Sequence, residues 1–216
     1  MIESFNRIGE LSVPGWNHNT HYHEFLLRRL PERRERALDV GSGLGEFTRA
    51  LATRFDSVDA VDLAPNMVER AREESVGFPN VTYRCADFME HELEHDRYDC
   101  IASIATLHHL PLADALGRMA SLLRSGGILL VLDLHRSVTL VDRLFDAAGV
   151  AAGVAAGLLH RQAPANAELS AAWADHEPLD HYPTIRELRE ACEEKVTDAV
   201  IRRHVYFRYS LVWRKP

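Results

Sequence analysis

LDVGSGLGEFTRAL, residues Leu38–Leu51, decides the fold of this chain of 216 residues. The stretch begins with an apolar run that is typical of a buried strand, passes through a glycine-rich turn, and ends in the periodicity of an amphipathic helix. Asp62 follows Gly41 by 21 residues, at the end of a second predicted strand. This layout predicts a parallel sheet with a ligand at the carboxyl ends of its strands and an acid placed to bind a ribose.

The spacing of the glycines separates two kinds of ligand. The dinucleotide fingerprint G-x-G-x-x-G requires glycine at position 46, where this chain carries Glu46. A carboxylate in the first turn of the helix would repel the pyrophosphate that a helix N-terminus otherwise attracts. The loop therefore favours a ligand with ribose and adenine but without phosphate, and it disfavours a nucleotide-dependent oxidoreductase.

Composition limits the class of protein. Hydrophobic residues make up 46% of the chain and charged residues 26%, as in ordinary soluble domains, and the length suits a single domain with insertions. The net charge of −7 argues against nucleic acid or an anionic membrane as the main partner. No apolar run approaches the roughly 20 residues of a membrane span. The N-terminus lacks the apolar core of a signal peptide.

Cysteine usage indicates the compartment. The three cysteines, Cys85, Cys100 and Cys192, are odd in number and widely spaced. We interpret them as core residues that form neither a disulfide framework nor a zinc knuckle. A reducing, cytoplasmic location is therefore expected.

Strands and helices alternate along the first two thirds of the chain. The predicted strands are Arg36–Val40, Ser57–Asp62, Val81–Cys85, Tyr98–Ile104 and Ile128–Leu134. The predicted helices are Thr20–Leu30, Glu46–Arg54, Pro65–Ser75 and Pro111–Arg124, with a weaker one over Phe88–Glu94. Alternation at this spacing predicts an α/β fold with a doubly wound, Rossmann-like parallel sheet.

The pattern changes after Leu134. Residues 136–195 are rich in alanine and predict a helical insertion, in which the repeat GVAAGVAAG, Gly149–Gly157, suits close helix packing. Thr197–Arg203 and Val205–Arg214 follow with almost no connection between them, which predicts an antiparallel strand hairpin at the sheet edge. We expect a single domain with a seven-stranded sheet. Its parts are an N-terminal capping helix at about 16–31, a binding core at about 36–134, a helical lid at about 136–195 and a hairpin at 197–214.

The motif D-x-G-x-G-x-G, which starts at Asp39, is similar to the first motif of class I S-adenosylmethionine (SAM) methyltransferases. The resemblance spans Arg36–Leu134 and extends loosely to the ending YSLVWRKP, which resembles that of small bacterial members. It implies transfer of a methyl group from SAM to an oxygen, nitrogen or carbon of a small-molecule acceptor, with S-adenosylhomocysteine as product. A SAM-binding protein without catalysis, or with another reaction, stays an alternative because a fold does not fix a function. We expect no nucleic-acid or membrane partner, and a monomer or homodimer.

The resemblance assigns the SAM site to residues at the strand ends. They are Asp39, Gly41, Ser42, Gly43, Asp62, Leu63, Met67, Asp87, Phe88, Ser103 and Ile104. Backbone amides at Gly41 and Gly43 are expected to approach the methionine part of SAM, because no Cβ intervenes. Gly45 is expected to allow close packing of helix and strand. Asp62 is expected to accept hydrogen bonds from both ribose hydroxyls, although a carboxylate at a strand end also suits capping of the next helix.

Four of these residues are assigned to adenine. Leu63 and Met67 are expected to be its apolar neighbours. In similar proteins an acid at the place of Asp87 receives the adenine amino group, and a residue at the place of Phe88 supplies its backbone amide or a ring contact. These four roles rest on the resemblance alone.

SIATLHHLP, Ser103–Pro111, matches the loop that borders the transferable methyl in the family. The carbonyls of Ser103 and Ile104 are expected to face the methionine ammonium. Relatives often carry a polar residue where this chain has Ile104, which indicates a more apolar floor or a different substrate. His108 and His109 are candidates for a general base, because imidazole titrates near neutrality. The alternative is that the pair packs and positions the loop.

The run WNHNTHYH, Trp16–His23, is unusually rich in polar and aromatic side chains. On a helix, His18 and Tyr22 share one face, and Asn19 and His23 share another. The resemblance implies that these residues cap the methionine carboxylate or line the substrate cavity. The alternatives are an amphipathic helix on the sheet edge, or a metal site for which no nearby carboxylate is implied.

The remaining candidates carry less information. HELEH, His91–His95, satisfies the zinc-protease pattern H-E-x-x-H, but it lies in a short polar connector instead of a stable helix, so no metal ligand is predicted. Some residues of the predicted lid are expected to contact the substrate. Taken one at a time, each of them is better explained by packing. These residues are His135, Arg136, Trp173, His176, Tyr182 and the predicted helix Ile185–Ala191.

Overall fold

The computed structural model describes residues 2–12, 17–159, 167–176 and 180–216. Trp16, where the predicted capping helix starts, lies outside these residues, as do residues 160–166 and 177–179 of the predicted lid. The description of side chains also leaves out 151–152 and 154–159, which include most of the alanine–glycine repeat.

Most residues of the central strands are buried, whichever face they point to, so the sheet is covered on both faces. The strands are β1 (Arg36–Val40), β2 (Ser57–Asp62), β3 (Val81–Cys85), β4 (Tyr98–Ile104), β5 (Leu123–Leu134), β6 (Val200–Arg203) and β7 (Arg208–Arg214). They form a seven-stranded sheet in the order β3-β2-β1-β4-β5-β7-β6. The first five strands in the chain run in parallel, and β7 is antiparallel to both β5 and β6. The predicted fold class is confirmed.

Helices cover both faces of this sheet. Those described are α1 (Ile2–Leu11), α2 (His23–Leu27), α3 (Glu46–Ala52), α4 (Pro65–Glu74), α5 (Leu112–Leu122), α6 (Leu140–Leu159), α7 (Ala167–His176) and α8 (Ile185–Lys195). Sequence signals explain two of the helix starts. Pro65 opens α4, where its missing N–H costs nothing, and Thr184 forms a capping box with Glu187 before α8.

The N-terminal capping element differs from the prediction. Thr20–Leu30 is not one helix but a 3-10 turn, Thr20–Tyr22, followed by the short α2. The sequence did not predict α1. Its apolar residues Phe5 and Ile8 pack against residues of α4 and α7, partners that lie far away in the chain. The predicted capping helix at about 16–31 is therefore wrong as a single helix. The N-terminal helix that packs against α4 and α7 is α1.

Two boundaries in the core also differ. Phe88–Glu94 is a turn and an irregular segment instead of a helix. β5 begins at Leu123, before the predicted Ile128, because Leu123 pairs with Tyr98 across an irregularity in β4. Neither the irregular segment nor the early start of β5 has a local signal in the sequence.

The C-terminal hairpin has shorter strands than predicted. Residues 204–207 form a connection in which Tyr206 and Phe207 adopt positive φ. Cys85 was interpreted as a core residue, but it is exposed at the end of β3, whereas Cys100 and Cys192 are buried.

The chain order reverses between β1 and β4, so the carboxyl ends of these strands frame a crevice. The loops after β1, β2 and β4 and the end of β5 meet there. Among the described helices, none combines the length and the apolar composition needed to cross a membrane.

Candidate active site

The glycine loop after β1 is closed from one side by the loop after β4. Gly41 has φ of +72°, and its amide donates to the Val61 carbonyl at 2.8 Å. A Cβ on Gly41 would lie 2.0 Å from Thr106 Oγ1, so only glycine fits here. At Gly45 a Cβ would lie 2.2 Å from the Tyr83 hydroxyl, which agrees with the predicted close packing of helix and strand.

Gly43 differs from these two glycines because its Cα faces open space. It also has positive φ, but no described atom lies within 4 Å of the position that its Cβ would take. Ser42, which precedes it, holds the turn through its amide, which donates to the Val61 carbonyl at 3.1 Å. A ligand can thus approach the backbone at Gly43.

Asp62 ties the glycine loop to α4. Its Oδ2 accepts from the Gly43 amide at 2.8 Å, and its Oδ1 accepts from the Ala64 amide at 2.9 Å. Burial raises the pKa of this carboxyl. An ionised carboxylate offers about four acceptor sites, so each oxygen keeps capacity beyond its amide partner. The carboxylate is thus tied to Ala64, the residue before α4, without capping the helix itself, and it keeps acceptor capacity for a ribose.

Asp39 lies beneath the loop and not at its surface. It is 2% exposed, and its Oδ2 accepts from Thr48 Oγ1 at 2.6 Å. Burial raises its pKa to about 7. The structure therefore brings Asp39 to the site as a support that fixes the end of β1 against α3.

The raised pKa of Asp39 predicts a pH dependence of stability. The folded carboxyl binds its proton below about pH 7 and the unfolded one only below 3.8, so its contribution to stability is lost as pH rises through this window. Asp39→Asn keeps an acceptor for Thr48 and removes the titration. We expect the wild type to lose about 2 kcal/mol relative to Asp39→Asn between pH 5.5 and 8.5. Urea unfolding of both proteins at the two pH values measures this difference, and a constant difference would contradict it.

The residues predicted near adenine occupy different depths. Leu63 is 37% exposed at the end of β2, whereas Met67 is buried under α1, where a Cβ on Gly9 would lie 3.0 Å from its Sδ. Asp87 is exposed, and its Oδ1 accepts from the Met89 amide at 2.8 Å. Of this set, Leu63 and Asp87 present side chains to the crevice edge.

Phe88 is buried in the main core instead of facing the crevice. Its ring packs in the same cluster as Leu107, and the Arg118 guanidinium lies 5.2 Å from the ring centroid. Arg118 Nε also donates to the Phe88 carbonyl at 2.8 Å. The ring therefore serves packing, and the backbone amide stays the predicted ligand contact.

The end of β4 carries a buried hydroxyl for which the described part of the chain offers no hydrogen-bond partner. Ser103 Oγ is buried and has no hydrogen-bond partner among the described residues. The Ile104 carbonyl accepts from Thr106 Oγ1 at 3.0 Å, and the same hydroxyl lies 3.3 Å from the Gly41 carbonyl. Thr106 was missed by the sequence analysis, although it lies within the loop that the resemblance singled out.

His108 forms a buried pair with Asp133 at the end of β5. Its Nδ1 lies 2.6 Å from Asp133 Oδ1, and its backbone amide donates to Oδ2 at 2.9 Å. A carboxylate only accepts, so Nδ1 carries the proton and Nε2 keeps its lone pair. Asp133 is fully buried and was not predicted as a site residue, because an acid inside an aliphatic strand gives no local signal.

Three histidines converge on Asp180, which belongs to the segment of the predicted lid before α8. Asp180 Oδ1 is 3.1 Å from His176 Nε2, 3.4 Å from His109 Nδ1 and 3.9 Å from His108 Nε2. Burial lowers the pKa of His109 to about 4 and also lowers that of His176, so both are neutral near pH 7. We call His108, His109, His176 and Asp180 the histidine cluster.

Side chains of α1 and of the predicted lid contact this cluster. Ser4 Oγ lies 2.8 Å from His176 Nδ1, and the Phe5 ring contacts His109 and His176 with centroid distances of 5.2 and 4.3 Å. The Tyr182 ring lies 4.9 Å from that of His108, and its hydroxyl donates to Asp180 Oδ2.

Of the other predicted lid residues, only Trp173 is described in contact with the cluster, with its ring 6.0 Å from that of His176. Trp173 is 49% exposed, and His135 is buried on the side of Tyr209. Arg136 lies 3.8 Å from Glu187 of α8. Of the six lid predictions, the structure thus brings His176, Tyr182 and the half-exposed Trp173 to the histidine cluster.

The predicted N-terminal residues contact the C-terminal hairpin and α3. His18 stacks on Tyr206 with a centroid distance of 4.4 Å, and Asn19 Oδ1 accepts from Arg208 Nε at 2.9 Å. The Tyr22 hydroxyl donates to the Val205 carbonyl, and His23 lies 4.9 Å from the Phe47 ring. These contacts dock the segment, and its contact with a ligand stays a prediction.

Two surface clefts lie away from this crevice. One of about 630 Å³ is lined by Phe25, Ile128 and Trp213, and one of about 430 Å³ by Pro31 and Gly126. Both lie at the amino ends of the parallel strands, where no predicted site residue is found. They are therefore not candidates for the active site.

Comparison with known proteins identifies the family. A family model described as a methyltransferase domain matches residues 38–131. An uncharacterized methyltransferase of Mycobacterium tuberculosis is 31% identical over 204 residues, covering 93% of this chain and 98% of that protein. A ubiquinone biosynthesis O-methyltransferase of Xanthomonas axonopodis is 34% identical over 117 residues, covering 53% of this chain and 49% of that protein.

A solved structure shares the fold over the whole chain. The N-methyltransferase NodS from Bradyrhizobium japonicum, in complex with S-adenosyl-L-homocysteine, has a TM-score of 0.67 and 17% identity, covering 100% of this chain and 98% of that one. Two findings agree. One relative is more than 30% identical along almost its full length, and the glycine loop and strand order have the expected form. This chain belongs to the class I, SAM-dependent methyltransferases.

Proposed function

We propose that this methyltransferase acts on a small-molecule acceptor, enclosed between the loop after β4, α1 and the lid. The observation that carries the proposal is the buried His108–Asp133 pair, which lies just beyond the loop contact between Thr106 and Gly41. The enclosure by Phe5 and Tyr182 supports a compact acceptor. The name of the Xanthomonas relative, a ubiquinone biosynthesis O-methyltransferase, supports a small-molecule acceptor.

The residues at the strand ends fit SAM. Gly43 leaves its backbone open, Asp62 keeps acceptor capacity for the ribose, and Leu63 offers exposed apolar surface for adenine. Ser103 Oγ is a buried hydroxyl that lacks a partner among the described residues, at the place expected for the methionine part. SAM supplies a methyl group already activated on a sulfonium.

The chain's own contribution is orientation and proton transfer. Holding an acceptor atom in line with the methyl supplies about 7–11 kcal/mol of the barrier. An acceptor O–H or N–H gives its proton to His108 Nε2, while Asp133 fixes the ring and stabilises the imidazolium that forms. Enclosure by α1 and the lid keeps water from the reacting groups. Burial lowers the pKa of His109 to about 4, which makes it a poor base near neutral pH.

Location and assembly are further parts of the proposal. We propose a cytoplasmic enzyme that acts as a monomer or homodimer, without a nucleic-acid or membrane partner. The net charge of −7 supports the absence of nucleic acid, and the buried free thiols of Cys100 and Cys192 support a reducing compartment.

Labelled methyl transfer tests the proposal. The purified protein is incubated with methyl-labelled SAM and a cell extract divided into small molecules, protein and nucleic acid. We expect label in the small-molecule fraction, and His108→Asn lowers the rate about 10²-fold or more while SAM binding persists. His95→Asn, an exposed histidine of the connector after β3, is the matched control and keeps the rate. Label confined to protein or nucleic acid, or SAM binding without any transfer, would contradict the proposal.

A further inference from the structure

We infer that the histidine cluster is a binding site for one divalent transition-metal cation of the zinc class. The ligand atoms of His108, His109 and Asp180 all lie within 4.8 Å of one another, and His176 Nε2 lies 3.1 Å from Asp180 Oδ1. The inference does not depend on the identity of the methyl acceptor.

The distances match those of a coordination site. A tetrahedral zinc ion with bonds of about 2.0–2.2 Å keeps its ligand atoms about 3.4 Å apart. The three nitrogens lie 3.1, 3.4 and 3.9 Å from Asp180 Oδ1. Imidazole nitrogens with one carboxylate oxygen form a ligand set that zinc prefers.

Hydrogen bonding supplies a second, independent observation. His109 Nδ1, His176 Nε2 and Asp180 Oδ1 are buried, and none of the three has a hydrogen-bond partner among the described residues. Buried polar atoms that remain unpaired are costly, and three that point to one place are explained by a shared ligand. Their side chains are at most 9% exposed, so bulk water does not satisfy them.

The surroundings orient the ligands as in known metal sites. Metal-binding histidines usually bond through their second nitrogen to a carboxylate or another polar group. His108 does so with Asp133 at 2.6 Å, and His176 does so with Ser4 at 2.8 Å. Asp180 is fixed through its second oxygen, which accepts from Tyr182.

A cation here would join three elements. His108 and His109 belong to the loop after β4, His176 is the last residue of α7, and Asp180 lies in the segment before α8. The cation would therefore fasten the lid to the core. It would also bind the lone pair of His108 Nε2, the atom that accepts the proton in the proposed reaction. Metal binding and proton transfer at this atom therefore exclude each other in any one protein molecule. No metal ligand was predicted from the sequence, because these four residues are spread over more than 70 positions.

Metal titration of the full chain tests the inference. The protein is stripped with a chelator and titrated with zinc chloride by calorimetry, and its thermal midpoint is recorded with and without zinc. We expect one equivalent to bind and the midpoint to rise, since the ion binds only the folded state. Cobalt(II) at the same site is expected to give the intense visible absorption of a tetrahedral complex.

Variants assign the binding to these residues. Asp180→Asn and His176→Ala are expected to weaken zinc binding at least tenfold, and Asp133→Asn by 10–100-fold through loss of ligand orientation. Circular dichroism checks that each variant is folded. His95→Ala, in the connector that satisfies H-E-x-x-H, is the control and keeps full affinity. The absence of stoichiometric binding in the wild type would overturn the inference. So would equal affinity of the wild type and both ligand variants, or loss of binding in His95→Ala.

Discussion

Asp62→Asn is expected to weaken SAM binding about a hundredfold while the protein stays folded. Each carboxylate oxygen of Asp62 accepts one amide, from Gly43 and from Ala64. Asparagine keeps one acceptor oxygen and turns an NH₂ group toward the other amide. The ribose then loses charge-assisted hydrogen bonds worth roughly 1.5–3 kcal/mol each, and the loop loses one of its two ties.

Calorimetric titration with SAM, S-adenosylhomocysteine and NADH in parallel measures this loss. Asp59→Asn is the matched control, because Asp59 lies on the same strand and is 9% exposed, yet it accepts from the Tyr98 hydroxyl instead of the loop. We expect Asp59→Asn to cost stability and to leave the SAM affinity within about twofold, as distant sites act independently. Equal losses of affinity in both variants would mean that Asp62 acts only through stability. Binding of NADH alone would mean that the glycine loop was misinterpreted.

The part of the molecule predictable from sequence is the part whose signals are local. The β1–loop–α3 unit combines an apolar strand, three glycines that need positive φ and a helix pattern within Leu38–Leu51, so its structure and the acid at Asp62 followed directly. Strand alternation then fixed the sheet. The prediction of the hairpin erred only in its bounds, since a four-residue connection with positive φ at Tyr206 has no glycine to mark it.

The elements that sequence reasoning missed depend on partners far away in the chain. Phe5 and Ile8 give α1 an apolar face, but this face is buried only because it packs against Met67 on α4 and Ala172 on α7. The helical pattern around Tyr22 predicts that one face is buried. It does not predict that the C-terminal hairpin is the element that covers this face.

The histidine cluster illustrates the same limit. The pair at positions 108 and 109 was visible as a motif, and His176 was considered only as a lid residue. Asp133 and Asp180 gave no signal, because one lies within an aliphatic strand and the other follows a segment of mixed composition. Only the fold brings Asp180 within 4 Å of ring nitrogens of the His pair and of His176 at the end of α7.

Gly41→Ala is expected to cost roughly 3 kcal/mol of stability or more and to remove measurable SAM binding. Alanine at φ of +72° is strained, by about 1–2 kcal/mol. In addition its Cβ would lie 2.0 Å from Thr106 Oγ1 and 2.3 Å from Thr106 Cγ2. Overpacking of this kind costs a further 1–3 kcal/mol or so and shifts the backbone that holds the cofactor.

Gly126→Ala separates strain from collision. Gly126 has a similar φ of +78°, but no described atom lies within 4 Å of the position that its Cβ would take. This control is expected to lose only the strain energy and to bind SAM normally. Thr106→Ala added to Gly41→Ala removes both closest atoms and leaves the Thr106 Cβ at 2.6 Å, so part of the stability is expected to return. Urea unfolding of Gly41→Ala, Thr106→Ala and the double variant measures the coupling between the two positions. Strictly additive losses of stability would show that Thr106 does not hold the loop closed.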